Sequence, residues 1–98
     1  MLVRILDYNQ NIGVTVGNTS TEVLGKNTKR GYATIVNDSN EVIYLAFGEP
    51  AVLNSGVRLN PNGGSLEIGE GGDNYFDTVN AICASGGKVL VVCELDTR

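Results

Sequence analysis

The chain has 98 residues, enough for one domain with a modest core, and 42% of them are hydrophobic, which excludes a disordered chain. The formal net charge of −4 argues against nucleic-acid binding, which needs clustered Lys and Arg. No apolar run is long enough to span a membrane as a helix, and MLVRILDYNQNIG lacks the apolar run of a signal peptide, so we expect neither.

Short segments rich in Val, Ile and Thr, separated by Gly, Asn and Pro, predict β-strands, and no segment has the apolar spacing of a helix. The predicted strands are Val3–Asp7, Ile12–Val16, Glu22–Leu24, Tyr32–Asn37, Val42–Phe47, Val57–Leu59, Ser65–Ile68, Thr78–Ala84 and Lys88–Leu95. This pattern predicts an all-β fold, a single small antiparallel β-sandwich or jelly-roll-like barrel of about eight to nine strands. A small barrel with open edges is the alternative.

The two ends of the chain are predicted to differ in role. We expect residues 1–14 to form an N-terminal strand or docking arm, and residues 15–98 to form the sandwich.

KNTKR, residues 26–30, is a basic cluster and is interpreted as a solvated turn. KVLVVCEL, residues 88–95, is apolar on both of its faces, which predicts a central strand or one covered by a partner.

Three turns are predicted from their residue types. DSNE, residues 38–41, has hairpin length and separates two strands. Ser85–Gly87 is predicted to be a second hairpin turn. Between residues 57 and 68, RLNPNGGSLEI predicts strand, turn and strand, with Pro61 in the second turn position and Gly63-Gly64 taking positive φ.

The two cysteines can be placed relative to the predicted hairpin at Ser85–Gly87. A tight turn there brings Cys83 opposite Lys88 or Val89, and Cys93 opposite Val79. The two thiols are then several residues out of register, too far apart for the Cα separation that a disulfide allows. We therefore predict two reduced, mostly buried cysteines, as expected of a protein folded in a cytoplasm.

The residues offer little for catalysis. The sequence contains no His, which removes Ser-His-Asp and Cys-His dyads and imidazole zinc sites. GEGGDNYFD, residues 69–77, offers Glu70, Asp73 and Asp77 as calcium ligands, but without the spacing of an EF-hand loop. The alternative is a polar Gly-rich turn anchored by Tyr75 and Phe76. We predict no enzyme activity, no catalytic residue, no cofactor and no metal site, and keep calcium as an open alternative.

The connection Gly48–Gly56 is polar but contains Pro50, Ala51, Val52 and Leu53. Apolar residues in such a connection form either a plug over the end of the sandwich or a surface that contacts another protein. The sequence leaves both interpretations open.

The order of these segments resembles a group of small all-β structural proteins of tailed bacteriophages. The resemblance covers about residues 15–94 and consists of STEVLGKNTKR, the IVNDSNEVIYLAFG segment, a GVRLNPNGG corner, an AICASG turn and the closing LVVCE strand. It implies a virion protein without catalytic residues, made in the bacterial host cytoplasm. We expect a capsid decoration or minor head protein. A neck, tail or fibre module, or a host-glycan-binding module with an exposed Tyr, is the alternative.

A protein of this kind is expected to bind the major capsid protein or another virion protein through strand edges and exposed segments. A homo-oligomer is expected, with a trimer favoured because such proteins occupy symmetry axes. We expect no nucleic-acid or membrane partner. The candidate contact residues are Leu2, Val3, Arg4, Lys29, Arg30, Glu49, Pro50, Val52, Leu53 and Arg58.

Overall fold

The computed structural model describes residues 5–69 and 74–97. Within these two ranges the chain forms eight β-strands and no helix, and thus no helix long and apolar enough to cross a membrane. The strands are β1 (Leu6–Val16), β2 (Thr21–Leu24), β3 (Arg30–Asn37), β4 (Ile43–Phe47), β5 (Val57–Leu59), β6 (Ser65–Ile68), β7 (Val79–Cys83) and β8 (Lys88–Thr97).

The strands form two antiparallel four-stranded sheets. Sheet A has the order β1-β8-β3-β6, and sheet B has the order β2-β7-β4-β5. The first strand thus pairs with the eighth, the second with the seventh, the third with the sixth and the fourth with the fifth. This is the pairing of one long hairpin rolled up into two sheets, which is the jelly-roll topology. The prediction of a small all-β sandwich is confirmed.

The core lies between the two sheets and receives alternate residues from each strand. Strand β8 illustrates this, since Leu90 and Val92 are fully buried whereas Val89 and Val91 point away from the core and stay exposed. The buried apolar cluster consists of Val16, Val23, Leu24, Ala33, Ile35, Ile43, Leu45, Leu59, Ile68, Val79, Ala81, Cys83, Leu90 and Val92. The two apolar faces of KVLVVCEL therefore belong to a central strand with one face in the core.

Two turns predicted as hairpins instead carry the chain from one sheet to the other. The turn after β3 leads from sheet A into β4 of sheet B, and Ser85–Gly87 leads from β7 of sheet B into β8 of sheet A. A short polar turn has the same residue types whether it closes a hairpin or crosses between sheets, so the hairpin prediction was wrong. Glu41 links the two turns, because its carboxylate accepts hydrogen bonds from Ser85 N (2.8 Å) and Ser85 Oγ (2.7 Å).

The corner between β5 and β6 also crosses between the sheets, and its backbone differs from the prediction at Asn62 and Gly64. Positive φ occurs at Asn62 (59°) and Gly63 (114°), and not at Gly64. Gly64 is required for a different reason: a Cβ there would lie 2.4 Å from both the backbone N and O of Asn60.

The N-terminal region forms one long strand where two short ones were predicted. Strand β1 continues through YNQN, with a bulge in its pairing to β8 between Tyr8 and Gln10. The strand continues through these polar residues because the side chains of Asn9 and Gln10 donate hydrogen bonds to Glu94 (3.2 and 3.1 Å). Residues 6–14 of the predicted N-terminal segment thus pair with β8.

Both cysteines are free, and no disulfide joins them, as predicted. Their predicted alignment across Ser85–Gly87 was wrong, because Cys83 lies in sheet B opposite Ile43 and Cys93 lies in sheet A opposite Asn11. Cys83 is buried, and its Sγ donates to Val16 O at 3.4 Å, whereas Cys93 is only half-buried.

Candidate interaction surface

Arg30 was predicted as a solvated contact residue, and the structure places it inside the protein. Its side chain has no exposed area, and Nε donates to Glu94 Oε2 at 2.6 Å. Nη1 donates to the carbonyls of Tyr75 (2.7 Å) and Asp77 (3.2 Å), and Nη2 donates to the carbonyl of Gly25 (2.6 Å). The prediction was wrong for this residue because the guanidinium holds three chain segments together instead of facing a partner.

Glu94 continues this buried network toward β1. Its carboxylate accepts hydrogen bonds from the side-chain amides of Asn9, Gln10 and Asn27 at 3.1 to 3.2 Å. Asp96 accepts two more, from Asn9 (3.0 Å) and Asn27 (2.7 Å). We call this set, with Arg30, the polar end. Arg30 and Glu94 are paired with each other, and the Asp96 carboxylate is hydrogen-bonded to two side-chain amides, so these groups are satisfied within the chain.

The other predicted contact residues fall into separate places. Leu2, Val3 and Arg4 lie outside the described residues. Lys29 is exposed in the turn before β3, and Arg58 is exposed on β5, where its Nε donates to Asn60 Oδ1 at 3.1 Å. The remaining four, Glu49, Pro50, Val52 and Leu53, lie together in the exposed connection between β4 and β5.

The β4–β5 connection packs Ala51 onto the domain and leaves Val52 and Leu53 exposed, while their contact with another protein stays a prediction. Ala51 is buried, and its N–H donates to Ser20 Oγ at 2.7 Å. Asn80 Nδ2 holds the segment from the other side by donating to Glu49 O at 2.7 Å. Val52 and Leu53 stay exposed. The connection is therefore a fixed feature with two apolar side chains on the outside.

Phe47 borders two grooves beside this connection. Strand β5 pairs only with the first three residues of β4, so Phe47 extends beyond its end and remains 38% exposed. One groove of about 310 Å³ is lined by Phe47 and residues of the β4–β5 connection. The other, of about 330 Å³, is lined by Phe47, Leu66, Glu67, Ile68 and Tyr75. Both grooves are lined mainly by apolar side chains and lack a convergent set of polar groups.

Tyr75 fixes one wall of the second groove. Its ring meets that of Phe47 edge to face, with centroids 5.0 Å apart, and its hydroxyl donates to Thr78 O at 2.9 Å. Burial raises the pKa of Tyr75, with the Asp77 carboxylate adding to the rise and Arg30 opposing it, so the phenol stays a donor at neutral pH. Tyr75 thus anchors its segment as predicted, whereas Phe76 is exposed.

The outer face of sheet A, which points away from the core, carries apolar side chains. Val89 and Val91 of β8 are 37% and 40% exposed, and Cys93 and Leu95 follow on the same face. Tyr8 of β1, opposite Leu95 in the register, is 67% exposed. We define this outer face by Tyr8, Tyr32, Val36, Val89, Val91, Cys93 and Leu95.

Strand β1 forms the edge of sheet A next to this face. It has 11 residues, whereas the other three edge strands, β2, β5 and β6, have four, three and four. A long edge strand presents unpaired backbone N–H and C=O groups, and such edges pair readily with strands of other proteins.

The backbone groups that face this edge follow from the pairing of β8. Asp38 N donates to Val89 O (3.1 Å), so the odd-numbered residues of β8 bond toward β3. Backbone groups alternate sides along a strand, so the even-numbered residues Leu90, Val92 and Glu94 bond toward β1. Their partners in register are Val14, Ile12 and Gln10.

The intervening residues of β1 therefore direct their backbone N–H and C=O groups away from β8. These residues are Asn11, Gly13 and Thr15. Beyond the bulge, Tyr8 lies opposite Leu95, an odd-numbered residue of β8, and has the same orientation. Within residues 5–69 and 74–97, no neighbouring strand pairs with this side of β1.

A metal site finds no support in the described parts of the chain. In residues 5–69 and 74–97, no three His, Cys, Asp or Glu side chains lie close enough together to hold an ion. Glu70 and Asp73 of the calcium alternative lie outside those ranges. Asp77 lies within them, and its Oδ1 accepts a hydrogen bond from Thr78 N at 2.7 Å. The calcium alternative stays a prediction.

Two of these features, the exposed Phe47 and the apolar outer face of β8, have signals in the sequence that the contact prediction missed. Alternation places Phe47 on the same face as Ile43 and Leu45, and the following GEP segment ends the strand. KVLVVCEL is apolar on both faces of its strand, which indicates that the face turned away from the core is also apolar. The orientation of the β1 backbone depends on the sheet order, which a single sequence does not contain.

Comparisons of the chain with protein-family models, with curated proteins and with solved structures give no match. We therefore argue the function from the geometry of the chain itself.

Proposed function

We propose that this protein is a structural component of a tailed bacteriophage virion, and that it decorates the capsid or serves as a minor head protein. The observation that carries the proposal is an eight-stranded jelly roll with a free edge strand of 11 residues beside an exposed apolar face. Jelly rolls recur in viral capsid proteins, lectins and cupins. The fold alone does not set the function, and the free edge with its exposed apolar face supports a role in contact with other virion chains.

The proposed mechanism is stabilisation by binding. A ligand that binds only the assembled shell shifts the assembly equilibrium by mass action, and repetition of one small domain over many equivalent sites multiplies the effect. Strand edges suit this role because main-chain hydrogen bonds provide affinity while the neighbouring side chains provide selectivity. The chain is made in the host cytoplasm in this proposal, and its free, unbridged thiols fit that compartment.

Copy number in purified particles tests the proposal. Quantitative mass spectrometry compares peptides of this chain with those of the major capsid protein. A copy number comparable to that of the capsid protein supports a component repeated over the shell. A few copies per particle would move the protein to the neck, tail or a fibre. Absence from particles would contradict any virion role.

A glycan-binding module is the second candidate, and one observation favours it. Tyr8 is the most exposed large hydrophobic side chain of the described residues, at 67%, and Asn11 lies on the same outer face. Sugar sites commonly combine an exposed aromatic ring with amide groups. Binding on a glycan array that is lost in Tyr8→Ala, and kept in the matched variant Tyr44→Ala, would favour this function over the shell.

A further inference from the structure

Among the described strands, β1 is an edge without the usual protection against pairing. Edge strands are commonly blunted by being short, by Lys or Pro, or by charged side chains. Strand β1 is long, and its only charged residue, Asp7, lies near one end. The residues whose backbone groups face outward are Leu6, Tyr8, Asn11, Gly13 and Thr15, and none of them is charged.

We propose that two copies of this chain pair antiparallel through their β1 edges, around a two-fold axis at Asn11. Asn9 is the extra residue of the bulge, so Tyr8 and Asn11 are consecutive edge-facing positions. With Asn11 opposite Asn11 of the second copy, Tyr8 lies opposite Gly13 and Leu6 lies opposite Thr15. Every edge-facing residue then has a partner, and sheet A of each copy continues into the other.

The pairing of Tyr8 with Gly13 is the specific feature of this register. Gly13 has no side chain, so the strand leaves Val91, its neighbour on β8, 40% exposed. A Tyr ring opposite a strand glycine can lie over it and reach the side chain beyond. The pairing places the exposed Tyr8 ring of each copy over Gly13 and Val91 of the other.

A second copy fits this edge better than an unrelated strand because the pattern is complementary to itself. No like charges meet, since Asp7 comes opposite Val14 of the second copy. A two-fold contact uses the same patch on both copies. Tyr8 and Gly13 each lie one edge-facing position from Asn11, on opposite sides, so the β1 edge meets this requirement.

This pairing is argued without the virion proposal, but it occupies the same β1 edge, so a dimer leaves the exposed apolar face of sheet A to contact a shell. It predicts dimers where the sequence favours a trimer. A chain of 10.4 kDa makes the two states easy to separate by mass in solution. A contact made by one strand from each copy is small, so we expect association to be weak and to need high protein concentration.

Cross-linking detects such a weak contact. Paired residues of this type have Cα atoms about 5.5 Å apart, which is within the range of a disulfide. Asn11→Cys is made in a Cys93→Ser background, because Cys93 is partly exposed, whereas Cys83 is buried and can remain. Ser65→Cys, in the same background, is the matched control on the exposed edge strand β6.

Under mild oxidation we expect Asn11→Cys to form a disulfide-linked dimer at least tenfold faster than Ser65→Cys. Equal rates would overturn the proposal, because random collision would then explain both. Cross-linking that is faster for Ser65→Cys would also overturn it, since β6 would then be the contact edge.

A pair of charge variants tests the register independently. Asn11→Lys and Asn11→Asp each place like charges opposite each other at the two-fold axis, so each alone should lose the dimer in analytical ultracentrifugation. An equimolar mixture should form it again. Equal melting temperatures of both variants and the parent show that folding is intact, as expected for an exposed side chain. Dimers that persist in either single variant would overturn the register.

Discussion

The polar end and the β1 edge show opposite ways of treating polar groups. At the polar end, Arg30 and Glu94 are buried, and their charged groups are bonded within the chain. Along β1, backbone groups of Asn11, Gly13 and Thr15 face outward, beside apolar side chains that remain exposed. Arg30, which was predicted to contact a partner, instead closes the domain, whereas the outward-facing backbone of β1 at Asn11, Gly13 and Thr15 carries no charged side chain.

The largest expected effect comes from breaking the polar end. Arg30→Met leaves Glu94 buried without its counter-charge and removes the donors to the carbonyls of Gly25, Tyr75 and Asp77. Removing one member of a buried ion pair costs about 3–5 kcal/mol, which we expect as the loss of unfolding free energy in urea titrations.

Two matched variants sharpen this prediction. Lys29→Met changes the exposed neighbour and should alter stability by no more than about 0.5 kcal/mol. Arg30→Met combined with Glu94→Leu should recover much of the loss, because the uncompensated charge is then gone. Equal stability of Arg30→Met and Lys29→Met would contradict the structural role of Arg30.

Substitutions of two neighbouring valines of β8 compare how much each face of sheet A contributes to stability. Val92 is fully buried and Val91 is 40% exposed. We expect Val92→Ala to lower the unfolding free energy by about 2 kcal/mol, from lost burial and the cavity left behind, and Val91→Ala by less than about 1 kcal/mol. Chemical denaturation of dilute protein gives both values. Similar losses would mean that the outer face is covered even in the free monomer.

The reactivity of the two thiols also compares the core with the outer face of sheet A. Cys93 is half-buried on the outer face, whereas Cys83 is buried and bonded to Val16 O. A thiol reagent should modify one cysteine per native chain and two in denaturant, and Cys93→Ser should abolish the native reaction. Rapid modification of Cys83 in the native Cys93→Ser variant would contradict the assignment of the faces.

The smallest expected effect concerns Glu41, which links the two turns between the sheets. Hydrogen bonds from the Ser85 backbone and side chain lower the pKa of Glu41 below its ordinary value of 4.5. The folded state therefore binds this proton less readily than the unfolded state, so its stabilisation is present above pH 4.5 and is lost as the pH falls through the lowered pKa.

Glu41→Gln should accordingly be slightly less stable at neutral pH and lose less stability on acidification than the parent. Melting curves between neutral and acidic pH measure this. Glu67→Gln, an exposed change on β6, is the control. An unchanged acid profile in Glu41→Gln would mean that its carboxylate does not hold the Ser85 turn in solution.

Much of the fold followed from the residues because alternation and turn composition act locally. The bounds of β5 and β6 agree with the prediction, those of β4 differ by one residue at one end, and those of β7 differ by one residue at each end. The pairing of strands could not be derived, because turns such as Ser85–Gly87 have the same composition in a hairpin and in a crossing between sheets. Sheet order depends on contacts distant in sequence.

The candidate surface was predicted less well, for a related reason. Its charge suggested that Arg30 is exposed. The oxygen atoms that accept hydrogen bonds from its buried guanidinium belong to residues 25, 75, 77 and 94, and only the fold brings these residues together. Val52 and Leu53 were predicted either to plug the sandwich or to contact a partner; both are exposed, and the contact stays a prediction. Local context thus indicated their place on the surface, but it did not indicate the burial of Arg30.

Residue-resolved amide hydrogen exchange of β1, measured at low and high protein concentration, tests most directly whether this edge is the contact surface. We expect Gln10, Ile12 and Val14 to exchange slowly at both concentrations, because they bond to β8. Asn11, Gly13 and Thr15 should exchange rapidly in dilute protein and become protected as the concentration rises. If these three amides stay unprotected in concentrated protein, the β1 edge is not where two copies of this chain meet.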